Sequence, residues 1–241
     1  GGARCVSGDM KSRFLLWGLL MVAGWVAQLH AAGLERMEWT VDGVKREALV
    51  SLPDKISDAG RTPVPVVFAF HGHGGTMRQA SRSFPIHELW PEAIVVYPQG
   101  LPTPSALVDR EGRMAGWQAT AGVQDDRDLK FFDAVLESIR KDYKVDDKRI
   151  FCTGHSNGGG FTYLLWGTRG DLFAAMAPSS SPGTTVLKDL KPKPVFHVAG
   201  EKDQIVREKA KEGGAFKFIQ VTQTPGHVYF AHGPHVTLAK L

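Results

Sequence analysis

Cysteine is nearly absent from the chain. Cys5 and Cys152 are the two in 241 residues and no Cys-x-x-Cys spacing occurs, so neither a disulfide framework nor a thiolate zinc site is available. Runs of one charge are missing as well. The 29 Lys plus Arg and 25 Asp plus Glu are interspersed, and no stretch of five or six basic residues offers a footprint for nucleic acid. There are no internal repeats, no low-complexity tract and no obvious linker. Twenty-seven Gly and 14 Pro fall far short of collagen-like periodicity, and 43% apolar with 22% charged residues is an ordinary globular mixture. The length suits one α/β domain with a sizeable core.

The apolar run Phe14 to Ala27 follows Met10, Lys11, Ser12 and Arg13 and leads to Ala31 and Ala32. Its 14 residues are too few for a membrane span, which needs about 20. A basic start, a short apolar segment and small residues at its end read as a secretory signal peptide, residues 10–31, cleaved after Ala31. Residues 1–9 are an upstream extension with no assigned role, and 32–241 form the single domain. The expected location is secreted or periplasmic, with no stable membrane anchor after cleavage. The remaining segment has 26 basic and 24 acidic residues, a net charge of +2, and retains Cys152 alone, which is tolerable outside the cytosol if it is buried.

Strand and helix signals alternate along that segment. Met37 to Thr40 and Val44 to Leu52 alternate apolar with polar residues around Asp42-Gly43, a dipeptide suited to a two-residue hairpin. Pro63 to Phe70 and Ala93 to Tyr97 are short continuous apolar runs of the kind buried on both faces of a parallel sheet. Between them Met77 to Trp90 reads as a helix interrupted by Pro85. Asp125 and Asp126 are expected to cap a helix whose Leu129, Phe132, Val135, Leu136, Ile139 and Tyr143 share one face. Strands are expected at Lys148 to Thr153, Leu172 to Ala177 and Val195 to Ala199, with a weaker one at His227 to Phe230, and a helix at Gly159 to Trp166. This pattern predicts a mostly parallel sheet covered by helices on both faces, preceded by an antiparallel hairpin.

The chemistry-bearing residues cluster where strands end. Gly154-His155-Ser156-Asn157-Gly158 fits G-x-S-x-G at a strand-to-helix junction, where a tight turn lifts a serine hydroxyl clear of the backbone so that a base can take its proton. Ser156 is the candidate nucleophile. Attack on a carbonyl needs donors for the resulting oxyanion. Two backbone N–H groups are expected, from Asn157 at a helix start and from His73 in the loop His71-Gly72-His73-Gly74-Gly75, with Gly74 as second choice. His71 and His73 could both ligate a metal, but no third ligand is near in sequence, and neither metal nor organic cofactor is expected. In the order nucleophile, acid, base, Asp203 is the candidate acid, with Glu201 its competitor. A base follows the last strand, which prefers His232 and His235 to His227, and of these two His235, in Gly233-Pro234-His235, is the favoured base. The Pro, Ser and Gly content of Gly100 to Gly122 marks a long loop over the strand ends, in which Trp117 is either an aromatic wall for substrate or a core residue.

The loop His71 to Gly75, Gly116-Trp117, the Asp125-Asp126 helix start, the elbow Thr153 to Gly159 and Ala199-Gly200-Glu201-Lys202-Asp203 together resemble the secreted esterase family of polyhydroxybutyrate depolymerases and feruloyl esterases. The likeness covers roughly residues 40 to 207. It implies an α/β-hydrolase fold and a Ser-Asp-His triad acting on carboxylic esters of polymers or of plant cell-wall phenolics. Matched residue by residue, it implies Ser156 and Asp203, with oxyanion donors at His73 and Asn157. The family's base follows a longer segment and a Gly-Gly pair. Here 31 residues separate Asp203 from His235 and Pro234 stands in place of the second Gly, an altered and shortened C-terminal pattern. The expected function is a secreted serine esterase whose partner is an ester substrate, polymeric or cell-wall derived. The alternatives are a catalytically silent relative and a serine peptidase of the same fold.

Overall fold

The computed structural model describes residues 33–53, 62–106, 108–181 and 190–198. The signal-peptide segment, Asp203, Glu201, His227, His232 and His235 lie outside the described residues, as does the expected strand at His227 to Phe230.

The chain opens with the expected hairpin, β1 (Leu34–Val41) and β2 (Val44–Ser51). Asp42 and Gly43 both take positive φ, 49° and 76°, the left-handed pair whose twist suits a two-residue connection between antiparallel strands. Two apolar strands follow, β3 (Val64–Phe70) and β4 (Ile94–Pro98). Between them Pro85 splits the helical segment as expected, into α1 (Met77–Ser83), capped by the Thr76 hydroxyl, and α2 (Ile86–Leu89). An excursion then carries a small antiparallel pair, β5 (Leu101–Pro102) and β6 (Ala115–Gly116), so the segment expected to be a long loop is partly paired. The amphipathic α3 (Arg127–Asp142), the long β7 (Val145–His155), α4 (Asn157–Arg169) and β8 (Ala175–Ser179) complete the described elements.

The main sheet has the order β1-β2-β4-β3-β7-β8, parallel from β4 onward. Beyond β8, Val195 and Val198 bridge to Met176 and Ser179 in parallel, extending the sheet where a further strand is expected. β8 starts later than the Leu172 to Ala177 run suggested. Gly170–Leu172 forms a 3₁₀ turn that drops Phe173 into the core, and pairing with β7 begins only at Ala175.

Alternation along the buried strands sends side chains to two cores. Val66, Phe68, Phe70, Ile94, Val96, Ile150 and Cys152 face α3 and α4, whereas Val67, Ala69, Val95 and Tyr97 face α1 and its surroundings. Helices therefore cover both faces, as the α/β-hydrolase fold requires. Leu129, Phe132, Val135, Leu136 and Ile139 are all buried on α3. The aspartates expected to cap α3 do not do so. Gln124, Asp125 and Asp126 all sit at positive φ, and neither aspartate side chain bonds a helix N–H. Asp126 instead accepts from Gly122 N–H and the Gln118 amide, both at 2.8 Å. Gln118 caps from across the loop, its Oε1 accepting from Asp128 N–H at 3.0 Å and Leu129 N–H at 3.4 Å.

Candidate active site

The carboxyl ends of the parallel strands lie level with one another: Phe70 is opposite Gly154, and Gly154 is opposite Pro178. Ser156 stands at this edge, between the end of β7 and the first turn of α4. Its backbone, φ 53° and ψ −115°, lies in a region sparsely populated by L residues, which costs on the order of 1–3 kcal/mol and persists only where the surroundings enforce it. The enforcement is visible. Ser156 N–H donates to Ser179 O at 2.9 Å, and Gly160 N–H donates to Ser156 O at 2.9 Å. A Cβ on Gly154 would collide with the Gly158 carbonyl, and one on Gly158 would lie 2.5 Å from the Phe70 and His71 carbonyl oxygens, so these two motif glycines are where β7, β3 and α4 touch backbone to backbone.

 The result is an exposed Ser156 at the head of a 13-residue helix.

The loop after β3 lies against this turn. A Cβ on Gly72 would be 3.7 Å from the Ser156 Cβ. His71 is the loop's anchor: its Nδ1–H donates to Gly72 O at 2.7 Å, its Nε2 accepts from Gly100 N–H at 2.9 Å, and its carbonyl accepts from the Trp117 indole at 2.9 Å. Burial, ahead of the other influences, holds its pKa below the ordinary histidine value, so the ring is neutral. With both ring nitrogens engaged, His71 is a brace. Among the described residues no three His, Cys, Asp or Glu side chains converge as metal ligands.

Both expected oxyanion donors are described. Asn157 N–H is the first of α4 and His73 N–H lies in the adjoining loop; neither has an acceptor among the described residues. Gly74, the second choice, is ruled out by its partner: its N–H donates to Ala115 O at 2.7 Å. The Asn157 side chain has a role that the motif alone did not reveal. Its Oδ1 accepts from Trp117 N–H at 2.7 Å and its Nδ2 donates to Trp117 O at 3.1 Å, clamping the elbow to the excursion.

Of the two readings of Trp117, the structure favours core packing. The residue is 1% exposed, stacked on Phe161 at 5.3 Å and edge-on to Phe70 at 5.1 Å, so it offers no open face to a ligand. Its neighbour Gln118 leads to a buried ion pair that sequence reading missed. Gln118 N–H donates to Asp128 Oδ2 at 2.9 Å, and Asp128 Oδ1 meets Arg46 Nη2 at 2.7 Å. Arg46 also stacks over Phe131, 4.2 Å from the ring centre. A partner 82 residues away leaves no local signal.

An open cleft of about 530 Å³ adjoins the elbow, lined by the His71–Gly75 loop, Gln79, Ala80, Ser83 and Phe84 of the α1 region, His155 and Ser179.

Residues 117–212 match the prolyl oligopeptidase family. Among curated proteins, the chain is 31% identical over 121 residues to the bifunctional acetylxylan esterase/xylanase XynS20E of Neocallimastix patriciarum, covering 50% of this chain and 16% of that one. It is 29% identical over 165 residues to a probable feruloyl esterase C of Aspergillus flavus, covering 66% and 57%. A probable feruloyl esterase C of Aspergillus clavatus is 28% identical over 201 residues, covering 81% and 70%. The chain thus spans little more than half of the Aspergillus flavus protein and a sixth of the bifunctional one. Among solved structures, a thermostable esterase superposes with a TM-score of 0.52 at 19% identity, covering 76% of this chain and 52% of that one. Native pOPH gives 0.52 at 17% identity, covering 70% of each. The α/β-hydrolase fold is borne out, and so is the feruloyl-esterase part of the resemblance drawn from the sequence. The polyhydroxybutyrate part rests on the motifs alone.

Proposed function

We propose that this α/β-hydrolase-fold chain, with feruloyl esterases among its relatives, is an exported serine carboxylesterase acting on hydroxycinnamoyl or related esters of plant cell-wall or polymeric material. The observation that carries the reading is the strained, exposed Ser156 at the junction of β7 and α4, with the His71–Gly75 loop packed beside it. In the proposed mechanism His235 takes the Ser156 proton, the hydroxyl oxygen attacks the ester carbonyl, and Asp203 holds the imidazole in the useful tautomer. The oxyanion is stabilised by the N–H groups of His73 and Asn157, the latter aided by the positive end of the α4 dipole. Alcohol leaves with the proton from His235. Water then attacks the acyl enzyme with the same histidine as base. The scheme needs no metal or organic cofactor.

The test is hydrolysis of p-nitrophenyl acetate and methyl ferulate by the purified chain and by Ser156→Ala. Turnover in the wild type and a loss of at least about 1,000-fold in the variant, with unchanged circular dichroism, are expected. A folded wild type no faster than Ser156→Ala would overturn the reading. The prolyl oligopeptidase match favours a second reading, a serine peptidase. Faster turnover of a peptide p-nitroanilide than of either ester would establish that one instead. For the base, His235→Ala is expected to abolish turnover and His227→Ala to retain it.

A further inference from the structure

The His73 imidazole, unlike the peptide N–H of the same residue, has no part in the acyl-transfer scheme. Yet its side chain is only 6% exposed, and it faces the equally enclosed Asp109, 8% exposed. Nε2 lies 3.2 Å from Asp109 Oδ2, and that same oxygen accepts from Met114 N–H at 2.8 Å. Nδ1 is buried without a hydrogen-bond partner among the described residues, against Gly116, where an added Cβ would lie 2.7 Å from it. With the Asp109 carboxylate facing it, Nε2 carries a proton and donates it to Oδ2. Asp109 is itself held in place, exchanging backbone hydrogen bonds of 2.7 and 2.9 Å with Ser105.

The loop needs such a restraint. In Gly72-His73-Gly74-Gly75 the imidazole is the sole side chain, so no other residue of this stretch can fix the orientation of its peptides through a side-chain contact. Gly74 N–H to Ala115 O ties the loop to the same excursion, and His73 to Asp109 supplies the second tie, next to the peptide that matters. We propose that Asp109 is a positioning residue: through the His73 imidazole it orients the His73 peptide N–H toward the oxyanion, controlling the chemical step without touching substrate. This rests on the esterase reading of Ser156 for its kinetic consequence, though not for its structural one.

The experiment compares wild type, Asp109→Ala, Asp109→Asn, His73→Ala and the double variant. Misplacing a donor by about 1 Å costs up to roughly 100-fold. Asp109→Ala is therefore expected to lower kcat for p-nitrophenyl acetate by roughly tenfold to a hundredfold, with KM within about twofold. Asp109→Asn keeps an oxygen able to accept both bonds that now reach Oδ2, and is expected to recover most of kcat. His73→Ala, which retains the peptide N–H, should match Asp109→Ala, and the double variant should be no worse than either single one. Amide hydrogen exchange at residues 72–75 should accelerate in Asp109→Ala, with β3 unchanged. Exchange at 72–75 like wild type, or wild-type kcat in Asp109→Ala, would overturn the proposal. If the wild type hydrolyses no ester, the esterase reading fails on its own, and the exchange measurement still decides whether Asp109 restrains the loop.

Discussion

Burial settles the protonation of His71, and that makes one part of the protein's acid sensitivity traceable to a single ring. The folded pKa lies below the ordinary value, chiefly through desolvation, while an unfolded histidine titrates near 6.5. As pH falls below about 6.5 the unfolded chain binds a proton that the folded one does not, so stability falls toward acid until the folded pKa is passed. Urea midpoints measured from pH 7.5 to pH 5 should decline in the wild type, and the decline should be shallower in His71→Gln. An equal slope would separate His71 from the effect. Ser156 makes the complementary point. Its strained backbone is maintained by bonds to Ser179 and Gly160 and by the contacts at Gly154 and Gly158, so the motif glycines mark where neighbouring backbones leave no space for a Cβ.

Among the elements, α3 is the one whose start departs from its sequence signal. Asp125-Asp126 ahead of an amphipathic run looks like a cap, but Asp126 serves the preceding turn and Gln118 caps from ten residues upstream of Asp128. Gln118→Ala should therefore destabilise the protein by about 1 kcal/mol, the usual cost of losing a cap. Asp125→Ala should stay within about 0.5 kcal/mol of wild type. Equilibrium urea unfolding of both variants distinguishes this arrangement from an aspartate cap. α4 contrasts with α3: Phe161, Tyr163, Leu164 and Leu165 are all buried, as suits a helix packed between the sheet and its neighbours. Its N-terminus is thereby held at the carboxyl edge, where Asn157 N–H is available.

At the scale of the molecule, the sheet divides the apolar side chains into two cores, and Cys152 is deep in the larger one. Complete burial raises its thiol pKa well above the ordinary value, so it is neither ionised nor accessible. In a Cys5→Ser background, 5,5′-dithiobis(2-nitrobenzoate) should react with Cys152 at the rate of opening, and promptly only in denaturant. Prompt stoichiometric reaction of the native protein would contradict the burial. The Arg46–Asp128 pair couples β2 to α3 and, through Gln118, to the Trp117 clamp, so the edge hairpin and the elbow belong to one connected framework.

The strand and helix order, the Asp42-Gly43 hairpin, the helix break at Pro85 and the Ser156 elbow could all be read from the sequence. Each is announced within a short stretch of chain, by side-chain periodicity, turn residues, the ring of proline or the spacing of the motif glycines, although the strain at Ser156 is held by partners as distant as Ser179. What tertiary structure alone decided involves partners distant along the chain. Trp117 is a core residue because Phe70 and Phe161 meet it, Gly74 is unavailable to an oxyanion because Ala115 takes its N–H, and Arg46 is buried because Asp128 lies opposite. A residue's type states which contacts it can make, whereas the fold determines which of them are within reach.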